Sequence, residues 1–139
     1  MEVTEEEIKE YPWLNPRPGW YGPEEIPTEW KPMIMEMCAE IKIWLKEHNV
    51  PETNYFLDQG KEKWGDLCWY DEIEINGEVT EEAWDLNQKL QNDIVDKYVK
   101  RAAHICLICG KEFEEVLPYK GPGWVHRECP ECTSKRTKK

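Results

Sequence analysis

The sequence predicts an α+β fold: a small antiparallel sheet packed by two helices and closed by a C-terminal zinc-knuckle unit. Two stretches carry apolar residues at helical spacing, a stretch between them alternates apolar and polar residues, and two Cys-x-x-Cys pairs lie near the C-terminus. The 139 residues suit a single folded domain. Its predicted parts are an N-terminal arm (1–32), an acidic body (33–105), a zinc-binding unit (106–132) and a mobile basic tail (133–139).

The arm is rich in proline and aromatic residues. Six prolines between residues 11 and 32 exclude a long helix or a paired strand. The large apolar residues of this segment are Trp13, Leu14, Trp20, Tyr21, Ile26 and Trp30. We expect the arm to lay these side chains over the domain. The alternative is a partner-binding arm, because aromatic residues fixed by proline lose little entropy on docking.

A first helix is predicted from about Trp30 to His48. Its apolar residues recur at steps of three and four, and they are Ile34, Met37, Cys38, Ile41, Trp44, Leu45 and His48. Since Cys38 lies inside this stripe, we interpret it as a small buried apolar residue and not as a nucleophile.

A hairpin is predicted next, with strands at 55–57 and 66–75 joined by a connection at 58–65. Along the second strand Leu67, Trp69, Ile73 and Ile75 share one face, while Cys68, Tyr70, Glu72 and Glu74 share the other. This alternation is typical of a strand with one buried face. The Asn76-Gly77 pair then turns the chain.

A longer helix is predicted from Thr80 to Ala103. Thr80 is a favourable N-cap, and Glu81 and Glu82 suit the positive end of the helix dipole. The predicted buried stripe comprises Ala83, Leu86, Leu90, Ile94, Tyr98 and Ala102, widened by Trp84, Val95 and Val99.

The strongest motif is the set of four cysteines at Cys106, Cys109, Cys129 and Cys132. Two Cys-x-x-Cys pairs at this separation can surround one Zn²⁺ with four sulfurs. We therefore predict one structural zinc ion on these residues. A closed S4 site has no open position for water, so it favours a structural role over a catalytic one. Either His104 or His126 could instead replace one thiolate, and two disulfides or four unrelated thiols would be further alternatives.

Charge is distributed unevenly along the chain. Residues 1–105 carry 11 basic and 24 acidic side chains, whereas residues 106–139 carry 7 basic and 5 acidic ones. No basic residue lies between Lys63 and Lys89. The candidate partner-binding residues of this region are Asp66, Asp71, Glu72, Glu74, Glu78, Glu81, Glu82 and Asp85. Such a surface repels phosphate and attracts a basic protein, although acidity can also serve solubility alone.

The motifs of common enzymes are missing from the sequence. It has no Walker loop, no Gly-x-Gly-x-x-Gly and no Gly-x-Ser-x-Gly, and its three histidines form no nuclease-like dyad. We therefore expect no enzymatic activity. An alternative function is that of a zinc-ribbon nucleic-acid-binding or transcription-related regulator, with Lys111, Lys120, Arg127 and the basic tail as contacts.

Several segments resemble a family of small phage, prophage and bacterial proteins. They are residues 30–45 (WKPMIMEMCAEIKIWL), residues 61–67 (KEKWGDL) with Tyr70, Cys106-x-x-Cys109-Gly110, and Gly123-Trp124 with Cys129. The last metal position of that family is commonly His, whereas Cys132 stands here. By its overall character the chain is also similar to a zinc-containing anti-CRISPR protein of type II systems.

The second resemblance implies a phage-derived inhibitor that binds Cas9, the RNA-guided nuclease, and blocks DNA binding or cleavage. The partner would then be a host protein, with no direct nucleic-acid contact and no membrane. The acidic N-terminus and the absence of an 18-residue apolar run fit a protein of the infected host's cytoplasm, where thiols stay reduced.

Overall fold

The computed structural model describes residues 1–17 and 22–137, and it confirms the α+β class. The helices are α1 (Glu5–Glu10), α2 (Lys31–Glu47), α3 (Glu81–Leu90), α4 (Asp96–Ala102) and α5 (Pro130–Thr137). The strands are β1 (Tyr55–Lys63), β2 (Asp66–Ile73), β3 (Tyr119–Lys120) and β4 (His126–Arg127), which form two separate antiparallel pairs.

The first predicted helix is confirmed as α2, which spans the core. All of its predicted apolar residues are buried except His48, which is half-buried beyond the helix end. Cys38 is fully buried, and burial raises the pKa of its thiol to about 12. The thiol accepts a hydrogen bond from Nε1 of Trp13 over 3.3 Å. The interpretation of Cys38 as a core residue is therefore confirmed.

The hairpin is longer and tighter than the sequence predicts. Most of the predicted connection at 58–65 is strand, and only Trp64 and Gly65 form the loop. Both loop residues have positive φ, 51° and 90°, as a two-residue turn between right-twisted strands requires. A bulge at Asp58 absorbs one residue between the pairs Leu57↔Asp71 and Gln59↔Tyr70. The predicted alternation along β2 is confirmed for Leu67, Trp69 and Ile73, which are buried. The strand ends at Ile73, two residues earlier than predicted, and Ile75 is half-buried beyond it.

The second predicted helix is confirmed as α3 and α4, which are joined by a π-helical turn at Gln91–Val95. The Thr80 side chain accepts from the Ala83 N–H, as predicted for an N-cap. One part of the predicted stripe is wrong. Trp84 points to solvent with 56% of its surface exposed, because the adjacent Ala83 faces the core at that level of the helix.

The N-terminal arm covers the core with a series of short helical turns. Helix α1 begins with a capping box between Thr4 and Glu7, and 3₁₀ turns follow at Pro12–Leu14, Pro23–Glu25 and Thr28–Trp30. The side chains of Trp13, Leu14, Ile26 and Trp30 are buried, which confirms the covering role for these residues. Trp20 and Tyr21 lie outside the described residues.

The structure places helix α5 over most of the segment after residue 132 that the sequence analysis predicts to be a mobile tail, and residues 138 and 139 of that tail lie outside the described residues. The helix continues from the second cysteine pair through Thr137, and its attachment depends on a carboxylate that has no exposed surface. Glu128 accepts hydrogen bonds from Thr133 Oγ1 (2.6 Å) and from the Arg136 guanidinium (2.9 Å). These contacts attach Thr133 and Arg136 to the folded domain, although the composition of the segment predicts only a basic tail.

Among the described residues, no helix is both long enough and apolar enough to span a bilayer.

Candidate metal centre and the acidic face

The four predicted cysteines converge on one point. Their sulfur atoms all lie within 4.8 Å of one another, and Cys109 Sγ is 4.0 Å from Cys129 Sγ. Sulfurs in a tetrahedral site are about 3.8 Å apart when each lies about 2.3 Å from zinc. The arrangement therefore fits one four-coordinate metal ion.

Local backbone structure positions the first pair. The Ile108 N–H donates to Cys106 Sγ over 3.4 Å, and the Gly110 N–H donates to the Cys106 carbonyl over 2.8 Å. This tight loop requires φ of +78° at Gly110, a conformation that glycine adopts without strain. The chain enters the loop from an isolated bridge between Ile105 and Glu112.

The second pair is positioned by β4 and α5. The Cys129 N–H donates to Cys106 Sγ over 3.3 Å, and the Cys132 N–H donates to Cys129 Sγ over 3.4 Å. Burial opposes ionisation of Cys106, but hydrogen bonds from the backbone N–H groups of Cys129, Cys109 and Ile108 lower its pKa to about 7. Burial and the neighbouring sulfurs raise the pKa of Cys132. Such donors and crowding suit a set of thiolates neutralised by a cation.

Neither histidine joins this cluster. Both ring nitrogens of His126 are engaged by oxygens, the Trp124 carbonyl at 2.9 Å and Glu128 Oε1 at 2.8 Å. The His104 ring lies 3.2 Å from the Phe113 carbonyl. In the part of the chain that the structure describes, the group able to hold a metal consists of the four cysteines alone.

The sequence analysis missed the role of Glu128, which stands next to Cys129. Burial works against its charge, yet hydrogen bonds from Thr133, His126 and Arg136 lower its pKa to about 2. It thus ties β4 and α5 to each other beside the second cysteine pair. A buried glutamate with three donors has no signature in sequence, because two of the donors belong to a segment without apolar residues.

The eight predicted acidic contact residues divide into two groups. Four of them have partners within the chain: Asp66 pairs with Arg127, Glu72 and Glu74 pair with Arg17, and Asp71 accepts from Tyr55, Asn87 and Gln91. The other four, Glu78, Glu81, Glu82 and Asp85, are exposed around the start of α3.

An acidic groove of about 560 Å³ lies between β2 and the α3–α4 helix. Asp71 and Asp96 line it, and no basic side chain of residues 1–17 and 22–137 does. Tyr70 and Trp84, which also line it, are 57% and 56% exposed. Burial raises the pKa of Asp71. Together with the exposed carboxylates at the start of α3, this groove forms what we name the acidic face.

This chain matches no protein-family profile, no curated protein and no solved structure. The arrangement of its own residues therefore carries the functional argument.

Proposed function

We propose that this protein is a non-enzymatic binding module that uses one structural zinc ion as a cross-link and docks its acidic face on a basic surface of another protein. The observation that carries this proposal is the combination of two exposed aromatic rings, Tyr70 and Trp84, with a groove whose lining, among the described residues, includes acidic but no basic side chains. Trp and Tyr carry binding energy at many interfaces, and surrounding charge selects the partner and speeds the encounter.

Zinc is the metal that the ligand set favours. Four thiolates in tetrahedral geometry select Zn²⁺ or iron over magnesium and calcium, which take oxygen ligands. Since four sulfurs complete the coordination shell, a metal held by Cys106, Cys109, Cys129 and Cys132 has no position for substrate water. The ion would then join α5 and β4 to the loop after α4.

The specific partner that we propose is Cas9. This choice rests on a resemblance in overall character, without a shared diagnostic motif, to a zinc-containing anti-CRISPR protein. It also rests on a physical match, since Cas9 holds its heteroduplex in a positively charged channel. An acidic protein that enters this channel or covers its entrance would obstruct DNA binding or cleavage. The inhibitor would act stoichiometrically, because a protein that inhibits by binding must occupy each nuclease molecule.

A titration of Cas9 with this protein tests the proposal. We expect DNA cleavage to fall to near zero at about one inhibitor per nuclease, and a stable complex to appear in size-exclusion chromatography. Trp84→Ala should weaken binding by about 30-fold or more, which corresponds to about 2 kcal/mol for an aromatic anchor. Far-UV circular dichroism should be unchanged, since Trp84 lies on the surface.

Charge reversal on the acidic face is the second part of the test. The triple variant Glu81→Lys, Glu82→Lys, Asp85→Lys should abolish binding at low salt, whereas Glu114→Lys with Glu115→Lys changes exposed acids of the zinc-binding unit and should not. Full inhibition by the triple variant would remove the acidic face from the mechanism. Cas9 activity that is unaffected by excess wild-type protein would refute Cas9 as the partner.

A further inference from the structure

A second surface, chemically opposite to the acidic face, lies where the hairpin tip meets β3 and β4. A groove of about 610 Å³ there is lined by Lys63, Trp64, Asp66 and Cys68 of the hairpin and by Tyr119 and Val125 of the zinc-binding unit. Trp64 is 70% exposed, and Tyr119 and the nearby Trp124 are each 48% exposed. We call this surface the aromatic patch.

Trp64 is poorly suited to its position. It occupies the first place of the two-residue turn with φ of +51°, a region that Asn and Gly favour and that bulky side chains avoid. Its ring gains little from burial. A large apolar side chain that is both strained and exposed suggests a requirement other than stability, such as a contact with a ligand.

The other two rings are fixed in place by their polar edges. Tyr119 donates its hydroxyl proton to Asp66 Oδ2 over 2.5 Å, and Trp124 Nε1 donates to Glu62 Oε1 over 2.9 Å. Trp124 also stacks on the His126 ring with centroids 4.2 Å apart. Rings held in this way lose little entropy when a flat ligand stacks on them.

The charge of the aromatic patch has the sign opposite to that of the rest of the chain. Residues 61–66 and 119–127 carry four basic and two acidic side chains, a net charge of +2, which leaves −13 on the other residues. Both acids are engaged internally: Glu62 accepts from Trp124 and Gly65, and Asp66 accepts from Tyr119 and Arg127. Since Arg127 is itself paired with Asp66, Lys63 and Lys120 supply the positive charge that the inference assigns to a ligand.

A cationic ligand does not fit this patch. The Arg127 guanidinium already lies 3.9 Å from the Tyr119 ring centroid, and the Lys63 ammonium lies 5.4 Å from that of Trp64. Two of the three rings, those of Tyr119 and Trp64, thus already contact the protein's own cations. An anionic ligand with flat, stacking groups is complementary to both features.

We infer that the aromatic patch is a binding site for single-stranded nucleic acid, with bases stacked on Trp64, Tyr119 and Trp124 and phosphates near Lys63 and Lys120. Stacking on aromatic side chains beside basic residues is the general mode of single-strand recognition. A rigid duplex would extend from the patch over the acidic body, whereas a flexible strand can follow the patch alone. The inference concerns a separate face and does not depend on the proposed function.

Fluorescence anisotropy with a labelled oligothymidylate of about 12 nucleotides, within the usual range of site sizes, tests this inference on the full chain. We expect salt-sensitive binding of the single strand, and at least tenfold weaker binding of a duplex and of an abasic strand of equal length. Trp64→Asn should weaken binding roughly fivefold or more while the Tm stays constant or rises, because Asn favours the turn. Lys63→Gln should lower the salt slope by about 0.7.

Trp84→Ala is the matched control, an exposed tryptophan removed from the acidic face, and it should leave oligonucleotide binding unchanged. Three results would each overturn the inference. They are no binding at low salt, equal binding of the abasic strand, and full binding by Trp64→Asn. Equal competition by an acidic peptide would also overturn it and would identify a site for acidic protein segments.

Discussion

Arg127 Nε donates a hydrogen bond to Asp66 Oδ1 over 3.0 Å, and this ion pair joins the zinc-binding unit to the tip of the hairpin. Arg127 stands two residues before Cys129, and its side chain also donates to the Leu117 carbonyl and to the Tyr119 hydroxyl. Asp66 follows the hairpin turn directly. A metal ion that orders the cysteines therefore also orders the edge on which the hairpin rests.

The metal centre gives the first prediction. Elemental analysis of the purified protein should find about one zinc per chain, and Cys106→Ser should lose it. Since structural zinc contributes about 10–16 kcal/mol of apparent binding free energy, the variant should unfold or aggregate in its C-terminal region. Cys68→Ser changes a half-buried cysteine outside the cluster and should keep full zinc content. Four freely reactive thiols and no metal in the wild type would contradict this prediction.

Close packing at the hairpin tip gives a second prediction. Two glycines, one with close neighbours and one without, allow the effect of packing to be measured separately from that of backbone strain. A Cβ added at Gly65 would lie 3.1 Å from the Arg127 backbone nitrogen and the His126 Cα, whereas one at Gly77 would meet nothing within 4 Å. Both have positive φ, 90° and 78°. Each alanine should therefore cost about 1–2 kcal/mol from conformation.

Gly65→Ala should lower the unfolding free energy by a further ~1–3 kcal/mol, because the backbone atoms that the new Cβ meets cannot move aside easily. Urea denaturation monitored by tryptophan fluorescence measures both variants under the same conditions. Equal losses of stability for Gly65→Ala and Gly77→Ala would show that the zinc-binding unit does not rest on the hairpin as closely as the structure indicates.

The sequence predicted those features that depend on periodicity and short spacing. The stripe from Ile34 to Leu45 and the two Cys-x-x-Cys pairs are examples, because each repeats at a distance that one element fixes. The aromatic patch was not predictable, since Trp64 and Tyr119 are 55 residues apart and meet only through the docking of the zinc-binding unit. The sequence shows that residues 66–85 are rich in carboxylates. It does not show which of these carboxylates, such as that of Asp71, turn inward.

Asp71 gives a third prediction through the tyrosine that bridges it to the core. The Tyr55 hydroxyl donates to Asp71 Oδ2 over 2.5 Å and accepts from Trp69 Nε1 over 3.0 Å. Tyr55→Phe should leave a buried indole N–H and a carboxylate oxygen without this partner, at a cost of about 1–3 kcal/mol in unfolding free energy. Tyr70→Phe removes an exposed hydroxyl from the same hairpin and should cost less than about 0.5 kcal/mol. A loss of that small size in Tyr55→Phe would mean that the bridge contributes nothing.

The fourth prediction concerns pH and the contact between α2 and α4. Burial opposes the charge of Glu40, but hydrogen bonds from Lys97 and Tyr98 outweigh it and lower the pKa below the ordinary value of 4.5. A lowered pKa in the folded state means that ionised Glu40 stabilises the fold above pH 4.5, and that this contribution is lost as the pH falls through the folded-state pKa. The stability difference between the wild type and Glu40→Gln should therefore be largest near neutral pH and shrink under acid.

Comparison with Glu47→Gln isolates this effect, because Glu47 is an exposed residue near the end of the same helix. Protonation of thiolates that hold a metal ion would also destabilise the protein in acid. It would affect the wild type and both variants alike and so would cancel in the differences. Urea midpoints measured at several pH values give the two curves. A stability difference between the wild type and Glu40→Gln that stays constant or grows as the pH falls would contradict the assigned partners. The reason is that the glutamine amide does not titrate and carries no charge to attract Lys97.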